Sequence, residues 1–121
     1  MKEIRNINYN NPQSHLNLVN QIFEIEQKTK DIKEKNSILR NINKLKVILE
    51  DSFGLSYHNP LGESYSDTRT DCEATIAGAN VDNLEIVEVI QPIIFSSYKN
   101  IEHVIKVIVQ PAVVIVHSKT H

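Results

Sequence analysis

Cys72 is the single thiol of the chain, and His58, His103, His117 and His121 are candidate bases that would make it a nucleophile. That chemistry needs an imidazole within hydrogen-bond reach of the sulfur and donors for an oxyanion. No short spacing joins Cys72 to any of these histidines. A lone cysteine on a strand is ordinarily a small buried hydrophobe, and the same residues lack the ligand spacing of a zinc site. Asp67, Asp71 and Glu73 gather three carboxylates in a polar stretch, which reads as a solvated loop rather than a pair of catalytic acids. Gly62 and Gly78 stand apart and form no phosphate-binding loop. The residues therefore predict a protein that is not an enzyme and carries no metal and no cofactor. Arg69, in Asp67-Thr68-Arg69-Thr70-Asp71, is the only arginine after the first 53 residues. It is expected to pair with loop carboxylates or to contact a partner protein.

The largest element able to position anything is the stretch from Ser14 to Phe53, which contains no Gly and no Pro. Counting heptads from His15 places His15, Ile22, Thr29 and Asn36 on one row and Leu18, Ile25, Ile32 and Leu39 on the other. The second row is apolar throughout, the mark of a coiled-coil seam. After Leu39 the phase slips, and Ile38, Ile42, Leu45 and Leu49 continue a stripe of three-and-four spacing, as at a stutter. Ser14 is expected as N-cap and Gly54 as the residue that ends the helix. Glu24 before Lys28, Glu26 before Lys30, and Asp31 before Lys35 are acid-to-base pairs in the favoured order, worth about 0.2–0.5 kcal/mol each. One long helix with an unburied seam predicts a parallel homodimer, with Leu18, Ile22, Ile25, Thr29, Ile32, Asn36 and Leu39 at the interface.

Composition sets the remaining bounds. A chain of 121 residues with 40% hydrophobic content holds one compact domain plus an extension. The net charge of −2 is unevenly spread: from Gly54 onward there are four basic residues against eight acidic ones. An acidic second half argues against nucleic acid as its partner. No apolar run approaches the roughly 18 residues of a membrane span, and the chain begins on a polar segment, so a cytoplasmic protein without a membrane partner is expected.

Residues 1–13, rich in asparagine, read as a flexible lead, and residues 54–121 as a small β domain. Leu55–Tyr57 is a short apolar piece before the turn residues Asn59-Pro60-Leu61-Gly62. Glu63–Asp71 is a polar loop, and Cys72–Ala77 a short strand. Leu84–Phe95 is dense in Ile and Val but interrupted by Pro92, which cannot donate to a ladder. Ser96–Asn100 is expected as a hairpin connection. Ile101, His103, Ile105, Val107 and Val109 then alternate with Glu102, Val104, Lys106, Ile108 and Gln110, and Pro111 separates this run from Ala112–His117. The expected architecture is α+β: a long N-terminal dimerising helix followed by four to six short strands in a small sandwich or open barrel.

Several short motifs, in this order, resemble the GrpE family, nucleotide exchange factors of DnaK-type chaperones. Phe53-Gly54-Leu55 and Asn59-Pro60-Leu61-Gly62-Glu63 look like that family's passage from helix to β domain. Cys72-Glu73-Ala74 stands where the family has His-Glu-Ala. Val87-Glu88-Val89-Ile90-Gln91 resembles its Val-x-x-Val-x-Gln strand, and Gln110-Pro111-Ala112-Val113-Val114-Ile115-Val116 its closing Arg-Pro-Ala-x-Val-x-Val strand. Two departures are clear: Pro92-Ile93-Ile94-Phe95 replaces the Gly-Tyr that follows the Gln strand, and Gln110 replaces the arginine. The resemblance implies a cochaperone dimer whose β domain binds the ATPase domain of a DnaK-type chaperone and speeds ADP release. Tyr65, Arg69 and Glu73 are the expected contact residues. The alternative is a dimeric scaffold or adaptor, GrpE-like or an unrelated coiled coil, that serves another client.

Overall fold

The computed structural model describes residues 12–99 and 102–119. Most of the lead, and also Asn100, Ile101 and His121, lie outside the described residues. The expectation of one long helix is overturned. Two helices stand in its place, α1 (Gln13–Thr29) and α2 (Lys35–Phe53), joined by residues 30–34. Six of the eight residues from Lys28 to Lys35 are charged, so little apolar surface there would favour continuing the helix. Thr29 turns its hydroxyl back onto the Ile25 carbonyl at 2.7 Å, a bond that competes with the helical ladder. The Lys30 and Ile32 amides then donate to the carbonyls of Gln27 and Thr29, closing the turn. An antiparallel pair with a connection this short is the helical counterpart of a hairpin.

Tertiary burial explains why the chain turns back. Val19 and Ile22 of α1 meet Ile42 and Leu49 of α2 in one core cluster, which also takes Leu55 and Ile94 from the β unit. Glu26, expected to pair with Lys30, instead accepts bonds from Lys46 Nζ of α2 at 2.8 Å and from the Tyr57 hydroxyl at 2.7 Å. Lys46 also lies over the Tyr57 ring, 4.9 Å from its centroid. These three side chains tie both helices to the first strand. At the other end of the hairpin Pro12, rather than Ser14, precedes the first helical residue, and its carbonyl accepts from the His15 amide.

Seven strands follow, more than the four to six expected. They are β1 (Leu55–His58), β2 (Ser64–Tyr65), β3 (Cys72–Ile76), β4 (Leu84–Gln91), β5 (Ile93–Lys99), β6 (Val104–Gln110) and β7 (Ala112–Ser118). Strand β5 runs through the stretch expected as a hairpin connection, and β2 lies within the stretch expected as loop. Pro92 and Pro111 each separate two strands that belong to different sheets. One sheet has the order β1-β5-β6 and the other β2-β4-β7-β3, with β3 parallel to β7 and the other neighbours antiparallel. The segment from Leu84 to Ser118 is thus a long hairpin bent at the two prolines, where the missing N–H groups make a ladder break inexpensive.

The burial pattern makes three layers. Ile94 and Leu55 face the helices, while their neighbour Ile93 joins Cys72, Leu84, Ile86, Ala112, Val114 and Val116 in the second core. The three-stranded sheet is therefore packed on both sides. Gln110 fixes this arrangement at the bend. Its amide exchanges reciprocal 3.0 Å bonds with Asn20 of α1 and also donates to the Pro92 carbonyl at 3.1 Å. A buried glutamine with these partners accounts for a polar residue at a position where an arginine was expected by resemblance.

Candidate functional site

The loop from Glu63 to Asp71 is held from within by Arg69. Its Nε donates to Asp71 at 2.7 Å, Nη2 to Glu63 at 2.7 Å, and Nη1 to the Ser64 carbonyl at 2.9 Å. The bond to Asp71 is the main reason that the guanidinium holds its proton even more firmly than usual, and the same bond lowers the Asp71 carboxyl. Partial burial would raise Glu63, but Arg69 and then His58 outweigh it and bring that carboxyl down. An arginine so engaged has few donors left for a partner. Tyr65, one turn away on β2, packs against the second core. Glu73 is exposed on β3, opposite Val113 of β7. The three residues expected at the partner surface are therefore divided: Tyr65 and Glu73 lie on the two opposite edge strands of the four-stranded sheet, Glu73 is exposed, and Tyr65 and Arg69 are committed to the fold.

Cys72 sits in that core at the start of β3. Burial pushes its thiol up to about 11, with Asp71 adding to the rise and Arg69 opposing it. A protonated thiol among carboxylates is a poor nucleophile. His58 is paired with Glu63, and His117 lies at the far end of the sheet beside Ser118. Among the described residues no group of three His, Cys, Asp or Glu side chains is arranged to hold a metal ion. No described helix is long and apolar enough to cross a membrane.

The feature that the sequence reading missed is on β4. Its register with β7 runs Ile86↔Val116, then Glu88↔Ile115, then Val89↔Val114, then Gln91↔Val113. Val87 and Ile90 are each an extra residue, that is, two β-bulges three positions apart. A strict alternation from Ile86 would send Glu88 inward and Val89 outward. The first bulge reverses this: Glu88 is exposed, Val89 packs on the core, and the second bulge leaves Ile90 outside. Val87 and Ile90 are 49% and 55% exposed, two apolar side chains turned to solvent on either side of Glu88. Bulges re-aim side chains in this way at functional sites. The signal was present, since Glu85 and Glu88 are three apart and cannot share one face of a flat strand with its apolar residues between.

The expected dimer residues divide between two faces. Ile22 and Thr29 are buried inside their own chain, Leu39 packs against that core, and Asn36 is exposed. Leu18 and Ile25 are 45% and 47% exposed on α1 beside the buried stripe, and Ile32, in the connection after it, is 44% exposed. On α2, Leu45, Val47 and Ile48 are also exposed. Comparison with family models, curated proteins and solved structures finds no match for this chain.

Proposed function

We propose that this protein is a GrpE-like cochaperone without chemistry of its own, acting by pressing the outer face of β4 on the ATPase domain of a DnaK-type chaperone. The observation that carries the reading is the pair of bulges that expose Val87 and Ile90 around Glu88. Two exposed β-branched side chains on a rigid strand make a small preorganised contact, and apolar residues at a fixed spacing serve a protein partner better than a small ligand. Binding energy placed on the open conformer of the partner shifts its population and releases ADP faster. The surrounding half carries excess negative charge, so encounter is favoured by basic groups on the partner and weakened by salt. The setting is cytoplasmic, and the protein self-associates through the exposed side chains Leu18 and Ile25 of α1 and Ile32 of the connection, with nucleic acid and membrane playing no part.

The test is release of a fluorescent ADP analogue from a DnaK-type chaperone of the same cell. Wild type should accelerate release. Val87→Lys with Ile90→Lys should abolish the effect, with little change in thermal stability because both side chains already face water. Ile25→Asp with Ile32→Asp should halve the mass by sedimentation. A second reading, a scaffold of the same fold for another client, is favoured by what stands in place of Gly-Tyr and arginine: Ile93 and Ile94 are committed to the two cores, and Gln110 to Asn20. Absence of any acceleration by wild type leaves that scaffold reading.

A further inference from the structure

The inner face of the four-stranded sheet is open at one end. There the sheet curves so that its two edge strands, β2 and β3, contribute to one groove of about 430 Å³. Tyr65, Ala74, Ile76 and Val81 supply an apolar floor continuous with the core, and Val81 is 64% exposed. Asp67 stands on one wall and Asp82 on another, and among the described residues no basic side chain lines the groove. Arg69, the nearest guanidinium in sequence, is engaged by Asp71, Glu63 and the Ser64 carbonyl, and the Lys119 amide donates to the Asn83 carbonyl at this end.

We propose that this groove is a second protein-binding site, separate from the outer face of β4, and that it takes an extended segment in which one apolar side chain is flanked by lysine or arginine. The apolar floor calls for the central side chain, and the two carboxylates call for cations on both sides of it. The extended form follows from the walls. Among the described strands β3 is hydrogen-bonded to a neighbour on one side only, so it offers a ladder edge for strand addition, whereas the Ser64 carbonyl on the opposite edge strand is taken by Arg69. The groove is also preformed. Arg69 pins the Ser66–Asp71 turn from beneath, and the Asp82 amide is held by the Asn80 side chain at 2.9 Å, so both carboxylates are presented by closed turns. Little ordering is then needed on binding.

The experiment is an amide chemical-shift titration of the full chain with three nine-residue peptides: a central leucine between lysines, the same with glutamates for lysines, and the same with serine for leucine. The lysine–leucine peptide should shift Tyr65, Ile76 and Val81 and leave Val87 and Ile90 unmoved, while the other two bind at least about tenfold more weakly. Asp67→Lys with Asp82→Lys should reduce affinity by about tenfold, and more at low salt. Val81→Lys, at an already exposed position, should block the groove without unfolding the chain. Equal binding of the glutamate peptide, shifts that map outside the groove, or undiminished affinity in the charge-reversed variant each overturn the proposal. The charge-reversed variant should retain the ADP-release activity assigned to β4, so loss of peptide binding and loss of chaperone activity are distinguishable.

Discussion

Replacing Gly54 by alanine is the most informative single perturbation, because two costs meet at one Cα. Gly54 ends α2 with φ at +67°, and its amide donates back to Glu50 at 3.0 Å. An L-residue in this left-handed conformation costs roughly 1–2 kcal/mol. The second cost is steric. A Cβ built on Gly54 would lie 2.6 Å from the Ser97 carbonyl oxygen, and that oxygen is backbone, not the end of a flexible side chain. The Ser97 amide is itself bonded to the Gly54 carbonyl at 2.7 Å, so the two segments cannot separate without losing the link between the helix exit and β5. Overpacking of this kind costs about 1–3 kcal/mol, which brings the total to about 2–5 kcal/mol. Gly62 is the internal control: its φ is +85°, but a Cβ there would meet no atom within 4 Å. Gly62→Ala should therefore show the backbone cost alone, about 1–2 kcal/mol, with the unfolded-state benefit of losing a glycine common to both variants. Gly54→Asn separates the costs again, because asparagine tolerates the left-handed region but still carries a Cβ. Urea unfolding followed by circular dichroism reads all three. If Gly54→Ala is no less stable than Gly62→Ala, the close approach to Ser97 does not hold the helices to the β unit, and the packing argument fails.

Three further expectations follow from the same contacts. Cys72, with its thiol pushed up to about 11 and its side chain buried, should react with iodoacetamide at pH 7.5 about 100-fold more slowly or worse than in urea; rapid labelling of the native protein would restore the nucleophile reading. Gln110→Leu should cost about 1–3 kcal/mol by stranding Asn20 and the Pro92 carbonyl, and a second change, Asn20→Leu, should recover part of it if the reciprocal pair is the cause. For Glu26, burial opposes ionisation, but the bonds from Lys46 and Tyr57 prevail and set its carboxyl below the ordinary 4.5. A depressed folded-state pKa contributes stability above 4.5 that is lost as pH falls through the folded value. The stability gap between wild type and Glu26→Gln should therefore be full at pH 7 and close on acidification, as read by urea unfolding across that range.

The strands were more legible than the helices, for a local reason. Pro92 and Pro111 announce their ladder breaks wherever they stand, since a missing N–H does not depend on tertiary context. Gly54 was legible in the same way, as a glycine just past an amphipathic run. What a strand pairs with is not local. Nothing in Ser64-Tyr65 marks a strand until β4 lies beside it, and two residues are too few for a period. The bulges at Val87 and Ile90 fall between these cases. Their mark is a lapse in alternation, which shows that the face changes but not toward what. Arg69 was expected to serve the loop carboxylates or a partner, and only the positions of Asp71 and Glu63 show how fully the fold engages it.

The helical region shows why a seven-residue period can be present while the element that it suggests is absent. Two stripes run side by side on α1. Val19, Ile22 and Phe23 form the buried one, and Leu18 and Ile25 the exposed one, with Ile32 exposed in the connection that follows. The heptad count from His15 took its apolar row from the exposed stripe, because Leu18, Ile25, Ile32 and Leu39 recur at sevens, and met the buried stripe only at Ile22. A period records that a helix has a face to bury. It does not record whether the partner is another chain or the same chain returning, and that choice is made by whatever offers the better cover. Here Ile42, Leu49, Leu55 and Ile94 cover the first stripe once the chain turns at residues 30–34. The turn costs only a few charged residues with nothing to bury. The second stripe remains, and it is this surplus, not a continuous seam, that gives the proposed self-association its surface.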